Sequence, residues 1–298
     1  MAYPKPAPER ILIENTPAGL RRWCAARRRA GERIGLVPTM GALHDGHLAL
    51  VRALGAMVDR VVVSIFVNPT QFAPGEDFAR YPRSEEEDLA KLRLLGVDLA
   101  YMPNVDAMYP AGFASEIRVL GPLSEGLEAV VRPGHFTGVA TVVAKLLLQA
   151  MPDVAAFGEK DYQQLQIVRR MTRDLDLPIE ILPVPTVRDA QGLALSSRNA
   201  YLSPSELQVA RRLNKILAAA AAQLRRGAEA ALVSAEAEGA LIAAGFSSVD
   251  YVALADPDSM SPLFRLDRPA RLLTAARLGR TRLIDNIAVV PVGVTAPA

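Results

Sequence analysis

The chain has one cysteine, Cys24, among its 298 residues. No internal disulfide can form, which fits a reducing cytosol better than a secreted product. Long hydrophobic runs are missing too: RVVVSIFV and ILAAAAA fall far short of the ~20 residues a helix needs to cross a bilayer, so no membrane span is expected. The opening MAYPKPAPERILIEN places three prolines within eight residues and lacks the apolar core of a signal peptide. A cytoplasmic location is the expectation. The formal net charge is only +2, and no dense Lys/Arg block stands apart from helix surfaces, which argues against a nucleic-acid-binding protein. There is no repeat of the solenoid kind. What is present is apolar: half the residues are hydrophobic. The length suits two domains, or one large α/β domain with an appendage.

From Arg33 to about Phe246 short apolar runs alternate with stretches of helical period, the pattern of a parallel sheet covered by helices. RIGLVPT reads as the first central strand, and RVVVSIFVN as a strand buried on both faces. VDLAYMP, DVAAFG and IEILPVPTV are further strand candidates. Ser84 with Glu87 predicts a capping box, and Ser203 with Glu206 predicts another, with Pro204 at the first helical position. Near residues 183–203 a proline-rich strand passes into the hairpin-like VRDAQGLALSSRNAYLS. The boundary is set there, giving an α/β, Rossmann-like domain over 1–185, with helices on both faces of a parallel sheet, and a smaller C-terminal α+β domain over 186–298. The second domain reads as helices over about 204–226 and 229–244, then VDYVALADP, ARLLTAARLG and TRLIDNIAVVPV, the last two separated by a turn at Gly279.

The segment LVPTMGALHDGHLALV runs from a strand through a glycine-bearing turn into a helix. It sets His44 and His47 at the carboxyl end of a sheet strand, where open α/β sheets bind ligands. Their spacing puts both imidazoles on one face of the first helical turn, beside backbone N–H groups that lack helical partners. Anions are favoured there, and Gly41 and Gly46 permit close backbone approach. The same spacing also reads as a helix cap or core arrangement. Zinc fits less well, because HExxH is absent and the third ligand would have to be His135. FGEKDYQQL repeats the strand-to-helix logic around Gly158, Glu159, Lys160 and Asp161, although alone it reads as a charged helix start. In SSRN, Ser196, Ser197 and Arg198 offer two hydroxyls and a guanidinium fork suited to polyphosphate. A plain hairpin turn has the same composition.

PTMGALHDGH, with its HxGH core, resembles the nucleotide-binding signature of the nucleotidylyltransferase and class I aminoacyl-tRNA synthetase superfamily. SIFVNPTQF, YPR, RPGHFTGVATVV, FGEKDYQQL and LSSRNAYLS, in this order, resemble the pantothenate synthetase family, the pantoate:beta-alanine ligases, over essentially the whole chain. The resemblance implies an ATP-dependent, AMP-forming carboxylate–amine ligase that works through pantoyl adenylate, typically as a homodimer. It assigns ATP binding to Met40, Gly41, Ala42, Leu43, His44, Asp45, Gly46 and His47, then to Gly158, Glu159, Lys160 and Asp161, to the backbone of Val187, and to Leu195, Ser196, Ser197 and Arg198. Gln71 and Gln164 match pantoate and beta-alanine contacts. His47, His44, Lys160 and Arg198 carry the catalytic roles. Arg132 and His135 are expected to line the same crevice or to cap the turn they occupy. Magnesium is expected with ATP, and Asp88 in SEEEDLAKL is the candidate carboxylate, unless the acidic run serves only the helix dipole. Leu195 stands where methionine is expected in many relatives, and Asp45 where glutamate is common. A nucleotidylyltransferase acting on a phosphorylated acceptor, and a non-catalytic nucleotide-binding protein, are the competing readings.

Overall fold

The computed structural model describes residues 9–73 and 75–293. The proline-rich start over residues 1–8 lies outside the described residues. In chain order the elements are β1 (Leu12–Glu14), α1 (Pro17–Arg29), β2 (Ile34–Thr39), α2 (Asp45–Gly55), β3 (Arg60–Ile65), α3 (Glu85–Leu94), β4 (Leu99–Tyr101), α4 (Val105–Met108), α5 (Glu128–Val131), α6 (His135–Ala150), β5 (Val154–Gly158), α7 (Tyr162–Asp174) and β6 (Glu180–Val184). They continue with α8 (Pro204–Ala210), α9 (Arg212–Arg225), α10 (Ala230–Ala244), β7 (Ser248–Ala255), β8 (Ala270–Leu278) and β9 (Thr281–Val289).

The chain divides into two compact units. The first holds a six-stranded sheet in the order β1-β4-β3-β2-β5-β6, parallel at every pairing. β2 and β3 are central, and their apolar runs are buried almost end to end, as a sheet covered on both faces demands. Leu50, Val51 and Leu54 of α2 pack with Val37, Val61, Val63 and Ala156 from the strands. Helix and strand thereby fix the loop that joins them, which carries the HxGH residues.

The second unit holds the antiparallel sheet β7-β8-β9. Its core joins Leu213, Leu217 and Leu224 of α9, Val233 and Leu241 of α10, and Leu254, Leu272 and Leu283 of the strands. Leu120–Val131 and Lys160–Gln166 also belong to it, although both lie well before residue 186 in sequence. Polar bonds join these segments to it and to each other. Buried Glu128 receives both ends of the Arg282 guanidinium at 2.7 and 2.6 Å and the Tyr251 hydroxyl at 2.8 Å. Gln163 donates to the carbonyls of Leu123 and Gly126, both at 2.9 Å.

Two local expectations change. Ser203 and Glu206 form the reciprocal capping box, with Pro204 in the first turn. Ser84 caps α3 by position only: with φ −134° and ψ 52° it makes no side-chain cap bond, and its hydroxyl donates to Asp88 at 3.3 Å. Exposed Glu87 faces Lys91 one turn on. The helix expected over 204–226 is two helices, α8 and α9, interrupted at Arg211, whose side chain reaches Asp189 at 2.8 Å.

Candidate functional site

β2 ends at Thr39, whose hydroxyl donates to the Ser64 carbonyl at 2.7 Å and accepts the Gly41 N–H at 3.2 Å. After Met40 two successive residues take left-handed backbone, Gly41 at φ 81° and Ala42 at φ 51°. Glycine suits this geometry, whereas alanine adopts it at a cost. A Cβ on Gly41 would also lie 3.1 Å from Ile65 and 3.2 Å from the Asp88 carboxylate. Asp88 is 1% exposed, and its two oxygens accept the N–H groups of Ala42 and Leu43 at 2.8 Å each. Lys91, one turn further along α3, donates to the Leu43 carbonyl at 2.8 Å. Asp88, the expected magnesium carboxylate, accepts loop amides with both its oxygens, and among the described residues no group of three or more His, Cys, Asp or Glu side chains could hold a metal ion.

His44 is the N-cap of α2. Its Nδ1 accepts the Gly46 N–H at 3.1 Å, while Nδ1 of His47 accepts the His44 N–H at 3.3 Å. The two rings lie 4.1 Å apart. A nitrogen that accepts carries no proton, so neutral imidazoles in these positions carry their N–H on Nε2. Cap and anion site, alternatives in the sequence, are compatible here: the capping atoms are Nδ1, and the Nε2 donors are the atoms that chemistry would use.

Beyond β3, Asn68 organises the turn that carries Gln71. Its side-chain oxygen accepts the Thr70 N–H at 3.4 Å, the Thr70 hydroxyl at 3.0 Å and the Tyr109 hydroxyl at 2.8 Å. Its amide donates to Gln71 Oε1 at 3.0 Å and to the Gly138 carbonyl at 3.3 Å. Gln71 in turn donates to Met40 Sδ at 3.2 Å, which ties this turn to the loop that carries the HxGH residues. Gly138 in α6 lets the helix backbone touch the turn: a Cβ there would stand 2.3 Å from the Thr70 carbonyl oxygen.

Arg132 and His135 buttress the same turn. His135 Nδ1 donates to the Gln71 carbonyl at 2.8 Å and its Nε2 receives Arg132 at 3.0 Å, while Arg132 grips Glu76 at 2.6 and 2.8 Å. Burial, the largest single effect, would raise the Glu76 carboxyl, but the bonds and charge of Arg132, with the Ala73 N–H, together hold it below the ordinary range. Neither side chain caps α6, whose N-cap is Gly134 in left-handed backbone.

The second unit carries the other expected residues. Lys160 and Asp161 lie on a 3₁₀ turn after β5, 3.7 Å apart at their charged ends. The Lys160 carbonyl accepts from Asn286 at 2.8 Å, and Asn286 is held by Arg271 at 2.6 Å. The Arg271 guanidinium stacks on the Tyr162 ring, 4.0 Å from its centroid. Gln164 lies half-buried in the first turn of α7. The hairpin expected after residue 186 is present. Asp189 accepts the N–H groups of Gln191 and Leu193 at 2.9 Å, and the Val187 carbonyl receives Leu195 at the same distance. Arg188 pairs with buried Asp285 through two bonds of 2.7 Å. Ser196 caps the 3₁₀ turn that presents Ser197 and Arg198, and accepts the Arg198 N–H at 3.3 Å. Gly158 and Glu159 end the first unit's β5 segment.

Asn68, Lys91, Gly138, Glu128 and Asn286 were not singled out in the sequence. Asn68 had a signal, an Asn-Pro-Thr turn start at the end of a strand. Gly138 had one too, as a glycine inside a helical pattern.

Comparison with known proteins identifies the family. The profile of the Pantoate-beta-alanine ligase family matches residues 12–288. A pantothenate synthetase of Mesorhizobium japonicum is 58% identical over 277 residues, covering 93% of this chain and 97% of the relative. One from Paramagnetospirillum magneticum is 56% identical over 94% of this chain and 99% of the relative. Among solved structures, the Thermus thermophilus pantothenate synthetase superposes with a TM-score of 0.88 at 50% identity, covering 94% of this chain and all of that one. The Francisella tularensis pantoate-beta-alanine ligase, complexed with beta-gamma ATP and beta-alanine, gives 0.78 at 32% identity over 93% of this chain and 97% of its own. The chain therefore belongs to the pantoate-beta-alanine ligase family, the pantothenate synthetases.

Proposed function

We infer that this protein condenses pantoate with beta-alanine at the expense of ATP, releasing AMP and pyrophosphate. A carboxylate is a poor electrophile because its leaving group would be oxide. In the first step a pantoate carboxylate oxygen attacks the α-phosphorus of ATP and pyrophosphate leaves, giving a mixed anhydride. In the second, the beta-alanine amine attacks the acyl carbon, AMP departs with the acyl–oxygen electrons, and the nitrogen loses a proton.

The observation that carries the reading is the His44–His47 pair, with each Nδ1 bonded to a backbone N–H at the start of α2. Their Nε2 protons are suited to follow charge as it builds on the phosphates, in a field already favourable to anions. We assign His47 the proton-donating or charge-stabilising role and His44 the nucleotide contact. Lys160 and Arg198 neutralise polyphosphate, with Ser196 and Ser197 as hydroxyl donors. Met40 to Leu43, Asp45, Gly46, Gly158, Glu159, Asp161, Leu195 and the backbone of Val187 complete the nucleotide contacts, and Gln71 and Gln164 hold pantoate and beta-alanine as neutral amides.

Magnesium enters with ATP, held chiefly by its phosphates and water. The described residues offer no acidic cage of their own, so no step is assigned to a protein-bound ion. A homodimer and a cytoplasmic location complete the reading. No described helix is long and apolar enough to cross a membrane.

The test is direct. Incubation with ATP, pantoate and beta-alanine should yield AMP and pyrophosphate in equal amounts. Pyrophosphate release that does not depend on pantoate would overturn the reading and favour a nucleotidylyltransferase of another specificity.

A further inference from the structure

We propose that α3 is a clamp on the nucleotide loop, with Asp88 and Lys91 as positioning residues for adenylation. The proposal rests on the ligase reading for its kinetic test and on geometry for its basis. Gly41 and Ala42 take successive left-handed conformations, of which only the first suits its residue without strain. Such a loop persists only where its surroundings over-determine it. Here they do: Asp88, almost fully buried, accepts the amides of Ala42 and Leu43 at 2.8 Å, and Lys91 takes the Leu43 carbonyl at the same distance. Leu43 is thus held at both its N–H and its C=O by two side chains three residues apart on one helix. Ser84 fixes the carboxylate from the other side at 3.3 Å. The next residue is His44, whose extended backbone starts α2 and whose ring meets that of His47. The angle at which both imidazoles leave the sheet is therefore set from α3, by residues that need not touch substrate. An amide in place of the carboxylate keeps the shape but turns one acceptor into a donor facing an N–H.

The experiment compares wild type with Asp88→Asn and Lys91→Met by calorimetric ATP binding, and by rapid-quench adenylation with magnesium varied. Asp88→Asn should weaken ATP binding and slow pantoate-dependent pyrophosphate release by roughly 10- to 100-fold, the loss of a charge-assisted hydrogen bond. Attack of beta-alanine on supplied pantoyl adenylate should stay within about twofold, a change too small to reflect a lost hydrogen bond. Half-saturating magnesium should not move. Lys91→Met, at a half-exposed position, should show the same split more weakly. If raised magnesium or manganese restores Asp88→Asn, the carboxylate is a metal ligand and the proposal is wrong. A fall in thermal stability with unchanged ATP binding and adenylation overturns it equally. Should Asp88→Asn not fold, Lys91→Met decides, and wild-type behaviour in that variant refutes the clamp. A wild-type enzyme that binds ATP but releases no pantoate-dependent pyrophosphate would refute the function instead, and ATP binding by the variants would still judge the clamp.

Discussion

Replacing Gly138 with alanine separates the geometry of the turn that carries Gln71 from overall stability. The added Cβ would sit 2.3 Å from the Thr70 carbonyl oxygen, 2.6 Å from the Thr70 carbonyl carbon and 2.8 Å from the Gln71 nitrogen, all backbone atoms that no rotamer change can clear. Ordinary contact begins at 3.4 Å, so helix and turn must separate by about 1 Å (3.4 less 2.3). Overpacking of this kind costs about 1–3 kcal/mol, offset by about 1 kcal/mol because alanine is the better helix former. The net loss should be about 0–2 kcal/mol, and the protein should fold. The kinetic effect should be larger: the displaced turn carries Gln71 and Asn68, and a misplacement of 1 Å can cost about 10²-fold in rate. Steady-state assays should therefore show kcat/KM for pantoate down by about that factor, with ATP affinity nearly unchanged. Wild-type kcat/KM for pantoate in a folded Gly138→Ala protein would refute the argument.

Three further outcomes follow from other contacts. Gln71→Ala and Gln164→Ala should each damage pantoate use while ATP binding survives, and calorimetry showing equal loss of both ligands would contradict the assignment. Glu128→Ala strands the partly buried Arg282 guanidinium with Asp250 alone at 2.6 Å and removes the acceptor of the Tyr251 hydroxyl. It should cost about 3–5 kcal/mol in urea unfolding, and a loss below about 0.5 kcal/mol, that of an ordinary surface substitution, would show the network to be idle. Glu76 is held below its ordinary carboxylate range, by Arg132 against the effect of burial. Because the folded state favours its ionised form, its contribution is present at neutral pH and fades as the pH falls below about 4. The difference in melting temperature between wild type and Glu76→Gln should close over that range, and a gap that widens on acidification would reverse the sign of the argument.

What the sequence disclosed was local. The runs around Leu36, Val62 and Ala155 announced buried parallel strands, and the strand-turn-helix passage placed His44 and His47 at a sheet's carboxyl edge because a strand end and a helix start are both written in adjacent residues. Ser203 and Glu206 were readable for the same reason. The supports of the site were not, because they act across the chain. Asp88 sits in an acidic stretch that any helix start would welcome, and only the fold brings it to Ala42, 46 residues away. Glu128 and Arg282 are separated by 154 residues. The Ser84 box failed over one torsion, since a serine at ψ 52° turns its hydroxyl from the helix amides toward Asp88. Arg132 and His135, expected to line the crevice or cap their turn, bond to Glu76 and to the Gln71 carbonyl and leave the cap of α6 to Gly134.

The central claim is that the Nε2 donors of the His44–His47 pair serve formation of an acyl adenylate. It is tested most directly by single-turnover adenylation in His47→Ala, with ATP and pantoate present and beta-alanine withheld. The account predicts a rate of pyrophosphate formation about 10²- to 10⁴-fold below wild type, in a protein whose unfolding transition is nearly unchanged. An adenylation rate equal to wild type would contradict it.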